Sequence, residues 1–286
     1  MRLILLKLLV LFVLLSSQSY LAYAGTDLDS RESAASSSSG NGAGVLKGQI
    51  TNQDRLSPLG AEFRVGARLD LAGIKKLQAL TPDNNWDRIP DWFAGDWKQE
   101  TSTSYYRYDY CSGGQDFGVD TGLALSKEHR GWQRDNAGNI WEYSYRNYIG
   151  VTECEDIWAI SYVKDTELLL SAGDRIVMRF LAVSVHVDKE SRQILRNAQT
   201  ESIQTYTPAG PGIVKVNASV KAFDQMGNPM LLNKLIAYER CLKPFRPIDS
   251  YRGKNMRVLF AEYLQSHGLG KLIPAGANQG RGLSRK

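Results

Sequence analysis

Between Phe93 and Cys241 the chain runs in segments with a period of two, each ended by a cluster of Gly, Pro, Asn, Asp or Ser. The breaks are Cys111-Ser-Gly-Gly114, Asp135-Asn-Ala-Gly-Asn139, Ser171-Ala-Gly-Asp174, Asp188-Lys-Glu-Ser191, Pro208-Ala-Gly-Pro211 and Gln225-Met-Gly-Asn-Pro229. Period two places alternate side chains on opposite faces of a pleated strand, and these residue types supply the φ values that tight turns need. The pattern predicts eight strands over 93–110, about 121–133, 139–149, 157–170, 174–187, 191–206, 211–223 and 229–241. A hairpin at Lys164-Asp165-Thr166 would raise the number to nine. A mainly β fold is expected: an antiparallel up-and-down barrel of about eight strands with a C-terminal helix. Closure leaves no exposed edge. A β-sandwich is the alternative.

Outside this region the period changes. Met256, Leu259, Phe260, Tyr263 and Leu264 fall on one helical face, and Gly268 suits the C-terminal cap. Leu71, Ile74 and Leu77 predict a short helix over 71–80, started by Asp70 and stopped by Thr81-Pro82. Residues 1–24 carry Arg2 and Lys7, an apolar run from Leu8 to Leu15 and an Ala22-Tyr23-Ala24 ending, the parts of a cleavable secretory signal. Residues 25–48, with four consecutive serines and a glycine-rich stretch, have too few apolar groups to offset ordering entropy and read as a linker. An extension over 49–85, the barrel domain over 86–274 and a disordered basic tail over 275–286 complete the organisation. The expected location is secreted or periplasmic, with no transmembrane segment after signal cleavage.

Loss of Arg2 and Lys7 with the signal lowers the formal net charge from +5 to +3, too little for a nucleic-acid partner without clustered cations. His129, His186 and His267 are isolated from one another, and Glu153, Glu155 and Asp156 lack the oxygen-rich series of a calcium loop. No metal and no cofactor is therefore expected. The sequence has no nucleophile elbow and no His-Glu-x-x-His, which leans against an enzyme. A barrel-based hydrolase or isomerase would have to rest on paired carboxylates contributed by different strands.

All six tryptophans lie between residues 86 and 158. Tyr106, Tyr108 and Tyr110 share one side of a strand, as do Trp141, Tyr143 and Tyr145 on another, opposite Arg107, Asp109, Glu142 and Arg146. Aromatics spaced in this way either line a ligand cavity or stabilise the sheet as cross-strand pairs and core. As ligand walls, these six residues would hold a small apolar or amphipathic molecule.

Gly95-Asp96-Trp97, preceded by Ile89-Pro90-Asp91-Trp92-Phe93, resembles the Gly-x-Trp entry to the first strand of the lipocalins and the wider calycin superfamily. The likeness covers about residues 86–268 and includes the late helix; the family's Thr-Asp-Tyr motif is absent. It implies a structural site in which Gly95 bends the chain and Trp97 closes one barrel end beneath Arg240. In an eight-stranded barrel of this kind the Cys111 and Cys154 ends fall together, which implies a Cys111–Cys154 disulfide with Cys241 unpaired. The reading that follows is a non-catalytic ligand-binding barrel. The alternative is a structural or interaction component of a cell-envelope assembly, such as a secretion or transfer system, with a protein partner.

Overall fold

The predicted turns fold as tight connections between antiparallel strands in the computed structural model, which describes residues 50–69, 85–144, 148–153, 155–251 and 253–275. The signal, the linker, the 71–80 helix, Tyr145, Arg146, Cys154 and residues 276–286 lie outside the described residues. In chain order the strands are β1 (Asn85–Ile89), β2 (Gly95–Asp109), β3 (Gln115–Asp116), β4 (Asp120–Arg130), β5 (Gln133–Arg134), β6 (Ile140–Ser144) and β7 (Tyr148–Glu153). They continue with β8 (Ile157–Ser171), β9 (Ile176–Asp188), β10 (Ile194–Gly210), β11 (Ile213–Phe223), β12 (Pro229–Pro244), β13 (Ser250–Tyr251) and β14 (Lys254–Asn255). Helix α1 (Met256–Ser266) follows.

The main sheet has the order β3-β2-β12-β11-β10-β9-β8-β7, with β4 also paired to β2. The first and last long strands of the meander, β2 and β12, are neighbours over most of their length. Among the described residues no pairing joins β4 to β7, so the sheet is antiparallel and curled but not closed. The reason lies in the chain path. After β4 the backbone leaves for β5 and β6, which form a separate three-stranded sheet with β1 in the order β1-β6-β5, and the chain returns to the large sheet at β7. The single strand expected over 139–149 is thus divided between two sheets. At Lys164-Asp165-Thr166, β8 continues through a register shift between Val163 and Asp165 and forms no hairpin.

Curvature follows from one contact. The Arg130 guanidinium on β4 lies 4.6 Å from the Tyr206 ring centre on β10. Four strand intervals in a flat sheet would separate them by about 19 Å. The sheet therefore bends around the face that carries both residues, here the inner face. At one end of that face Phe93, Trp97, Ile140, Ile176, Met178, Tyr206, Val214, Val216 and Ala237 form a buried cluster.

The opposite face of β7 to β10 is covered by residues 59–69. Leu59, Phe63 and Leu69 pack on Ile149, Ile160, Tyr162, Val183, Val185, Val187 and Ile194. The preceding residues bind through polar groups: Gln53 N–H donates to Glu201 Oε2 (2.5 Å), Lys221 Nζ to the Gln53 carbonyl (2.8 Å) and Gln199 to the Ser57 carbonyl (2.9 Å). Strands buried on both faces lose simple alternation, which is why Ala182 to Val187 is buried without interruption.

Helix α1 begins at Asn255, whose side chain accepts from Val258 N–H (3.1 Å). It packs on the small sheet, not on the wall of the large one: Met256, Phe260 and Leu264 join Trp86, Trp132, Trp141 and Tyr143. Trp86 and Phe260 ring centres are 4.8 Å apart.

Two turns share the pattern Asp-x-x-Gly-Asn, at 135–139 and 224–228. In the first, Asp135 accepts from Ala137 N–H (2.9 Å), Asn139 N–H (2.8 Å), the Asn139 amide (2.8 Å) and Trp141 Nε1 (3.0 Å). Asp224 repeats the first three bonds with Met226 and Asn228. Burial pushes the Asp135 carboxyl up, but these bonds outweigh it and hold the group below its ordinary range. A depressed folded value means stability present above the unfolded pKa of about 3.9 and lost as pH falls through the folded one. Asp135→Asn is expected to cost about 1–3 kcal/mol near neutrality. In urea unfolding the gap to the parent protein should narrow below pH ~4; a gap independent of pH would contradict the assignment.

Candidate functional site

Pairing register defines what the inner face presents. Residues directly opposite in an antiparallel pair share a face, so Tyr206, Gln204, Ser202 and Thr200 on β10 stand with Ile176, Met178, Phe180 and Ala182 on β9. Further along, Ser184 pairs with Ser161 on β8. On the other flank Gln99 pairs with Glu239 and Ser126, Ser102 with Ala237, and Ser104 with Leu235. Away from the apolar end, the face therefore carries many small and hydroxyl-bearing side chains, set around a buried apolar patch of Ala218, Val220 and Leu235. Gln99, Ser102, Ser104, Ser126, Ser161, Ser184, Thr200, Ser202, Gln204 and Asn233 are all buried.

Some of these groups satisfy one another. Ser104 Oγ donates to Asn233 Oδ1 (2.5 Å), Gln204 Nε2 to Ser202 Oγ (3.1 Å), and the Tyr206 hydroxyl to Gln204 Oε1. Gln99 Nε2 donates to the Ala124 carbonyl (3.3 Å). Three inner-face oxygens, Gln99 Oε1, Ser161 Oγ and Ser184 Oγ, are buried with no hydrogen-bond partner. An unpaired buried polar group costs about 1–3 kcal/mol, so the opposed pair Ser161 and Ser184 calls for a complementary group, and Gln99 on β2 for another.

At the apolar end, charge is matched within the protein. Arg130 is 3% exposed and donates to both Glu239 oxygens (2.6 and 2.9 Å) and to Glu128 (2.8 Å). Its guanidinium also lies 4.4 Å from the Phe93 ring centre and 6.0 Å from that of Trp97. Burial alone would push the guanidinium down, but Glu239 and Glu128 more than reverse it. Burial pushes Glu239 up, against the pull of Arg130, and burial likewise drives the Tyr206 phenol well above its usual range. Beside this cluster, His129 bridges Asp96 Oδ1 and the Gly131 carbonyl, each at 2.7 Å.

At the other end of the face, an open depression of about 400 Å³ is lined by Ile157, His186, Leu195 and Arg196. Burial, and then the Arg196 charge, push the His186 imidazole down. Among the described residues no group of His, Cys, Asp and Glu is placed to hold a metal ion, and no helix is long and apolar enough to cross a membrane.

The expected site residues separate. Tyr106, Tyr108 and Tyr110 are half-buried on the outer side of β2 and its turn, where Lys234 lies over Tyr106 and Lys221 over Tyr110. Trp141 and Tyr143 belong to the packed core beneath α1. They do not line a common wall with the tyrosines, because β6 left the main sheet. Gly95 takes φ +131, and a Cβ there would meet the Lys243 carbonyl at 2.5 Å, so the entry to β2 requires glycine. Trp97 is 3% exposed, and its indole N–H donates to the Phe93 carbonyl (3.0 Å). The arginine near it is Arg130; Arg240 is exposed, one residue beyond buried Glu239 and on the opposite side of the pleat. Cys111 is exposed and Cys241 half-buried, both as free thiols, and Cys154 lies outside the described residues.

The polar inner face was not among the sequence candidates, although Thr200, Ser202 and Gln204 repeat at period two. That signal reads as a solvent face until the strand is placed in the middle of a curled sheet. No known protein family, curated protein or solved structure matches this chain.

Proposed function

We propose that the protein is a non-catalytic binding module that takes a small neutral amphipathic molecule against the inner face of its curled sheet. The observation that carries this reading is the set of buried, unpartnered oxygens on Gln99, Ser161 and Ser184. A ligand hydroxyl or amide would complete the opposed Ser161 and Ser184, and Phe180 and Met178, further along the same face of β9, offer apolar contact. Neutrality follows from the end cluster, where Arg130 is already shared between Glu239 and Glu128. An ionised ligand bound toward that end would enter a low-dielectric face whose buried guanidinium is already matched.

The gap between β4 and β7 is the natural point of entry. Elsewhere, parting neighbouring strands would break a ladder of backbone hydrogen bonds, whereas none joins this pair. A lipocalin-like barrel, closed around its ligand along that seam, is the architecture we favour. Its support is the adjacency of β2 and β12 and the placing of Trp97 at one end near an arginine. The basic start, apolar run and Ala-x-Ala ending of residues 1–24 favour action outside the cytoplasm.

Titration with the neutral fluorescent probe phenylnaphthylamine tests the reading. Saturable binding is expected, with anilinonaphthalene sulfonate, its anionic analogue, binding more weakly. Ser184→Leu, which fills part of the face, should weaken the neutral probe by about tenfold. Absence of saturable binding, or equal binding by the Ser184→Leu protein, would remove the proposal.

A further inference from the structure

Residues 59–69 cover the outer face of β7 to β10, whereas Lys127, Arg240, Tyr238 and Ile213, on the outer face of β4, β12 and β11, are exposed. Pairing register fills one row of that face with cations. Lys127 on β4 stands opposite Lys98 on β2, Lys98 opposite Arg240 on β12, and Arg240 opposite Ile213 on β11. One step along, Tyr238 stands opposite Lys215. Like charges set directly opposite on neighbouring strands repel, and three adjacent strands place these cations within about 10 Å of backbone. The protein's own acids neutralise little of this. Glu100 binds Lys98, and Asp96, two residues before Lys98, is held by His129. Among the described residues no carboxylate pairs with Lys127, Arg240 or Lys215.

We propose that this face docks on an anionic lipid surface, with the cation row against the headgroups and Tyr238 and Ile213 at the level of the interface. Charge complementarity asks for a partner with many negative groups, since only an external row of anions offsets a repulsion that the chain leaves unmatched. The apolar side chains then select lipid from among such partners. Tyr238 is 56% and Ile213 41% exposed, and register sets each directly opposite a cation. A lipid interface uses both kinds of group, because apolar burial and attraction to charged headgroups add; an acidic polymer would use the cations alone. Tyrosine, with an apolar ring and a polar tip, suits the headgroup level. Such docking is peripheral and needs no membrane-spanning helix. It also gives Arg240, turned away from Trp97 by the pleat, a partner outside the protein.

Co-sedimentation of the full chain with lipid vesicles tests the assignment. At about 0.1 M salt, phosphatidylglycerol vesicles should bind about tenfold or more tighter than phosphatidylcholine vesicles. Lys127→Gln combined with Arg240→Gln should weaken phosphatidylglycerol binding by about tenfold or more, and Tyr238→Ser combined with Ile213→Ser should weaken it severalfold. Lys164→Gln combined with Lys271→Gln removes the same charge from exposed positions elsewhere and should leave binding unchanged. Every protein compared carries the same apolar run at residues 8–15, so the differences between them report this face. The substituted side chains are exposed and should keep the parent circular dichroism; Arg240→Gln alone serves if the first pair does not. Equal binding of the parent protein to the two lipids overturns the proposal. So does an equal loss in the two lysine and arginine pairs, which would make net charge the cause. Full binding by the Tyr238→Ser, Ile213→Ser protein, with displacement from the vesicles by soluble polyglutamate, would instead make the partner an acidic polymer and would equally overturn it.

Discussion

Trp97→Ala should destabilise the protein by about 3–5 kcal/mol, the range for removing a large buried aromatic whose site cannot collapse. Collapse is prevented from several directions. The indole sits at 3% exposure in the cluster that joins β2, β9, β10, β11 and β12, and the Phe93-Ala94 turn packs against the same cluster. The Phe93 carbonyl would also lose the indole N–H that it accepts at 3.0 Å. Truncation thus opens a cavity beside the buried arginine and loosens the entry to β2 in one step. Urea unfolding followed by circular dichroism measures the loss, and Trp97→Phe should recover a large part of it. A Trp97→Ala protein within 1 kcal/mol of the parent would show that the tryptophan is not structural there.

How far this fold could be read from the sequence depended on whether the signal was local. Turns at 135–139 and 225–229 were legible because Gly and Asn cluster within five residues, and the structure makes the same hydrogen bonds around Asp135 in the first and Asp224, one residue before the second. Helix α1 was legible for the same reason: its cap and its apolar face are set by residues within a few turns. What Tyr108 or Tyr143 would face was not local. Both stand at the same period, yet one lies on the outside of the large sheet and the other in the core under α1. The difference arises at residues 131–144, where the chain leaves the large sheet to pair with β1, a pairing across more than fifty positions of sequence. The partner of Trp97 failed in a similar way. Arg240 follows the right strand, but pleat parity turns it outward, and Arg130 reaches the ring from β4. A polar strand such as β10 reads as exposed until its place in the sheet is known, which hid Thr200, Ser202 and Gln204 as well.

Arg130→Met is expected to cost about 3–5 kcal/mol, because it leaves Glu239 buried without its counter-charge. Glu239 is 3% exposed and takes both guanidinium bonds, whereas Glu128 is more accessible and can turn toward water. Glu239→Leu should therefore cost less than Arg130→Met, since Glu128 remains to partner the arginine. Combining the two replaces a desolvated pair with apolar side chains of similar size next to Phe93, Trp97 and Tyr206. Buried pairs often lose little by such replacement, because the desolvation that opposed them is also removed. The double variant should thus be more stable than the sum of the single losses allows, with a coupling of about 1–3 kcal/mol. Urea unfolding of all four proteins gives the cycle directly. Strict additivity would mean that Arg130 contributes through its packing on the Phe93 and Tyr206 rings and not through Glu239. That outcome would also weaken the argument for a neutral ligand, which depends on this arginine having no charge interaction left to offer.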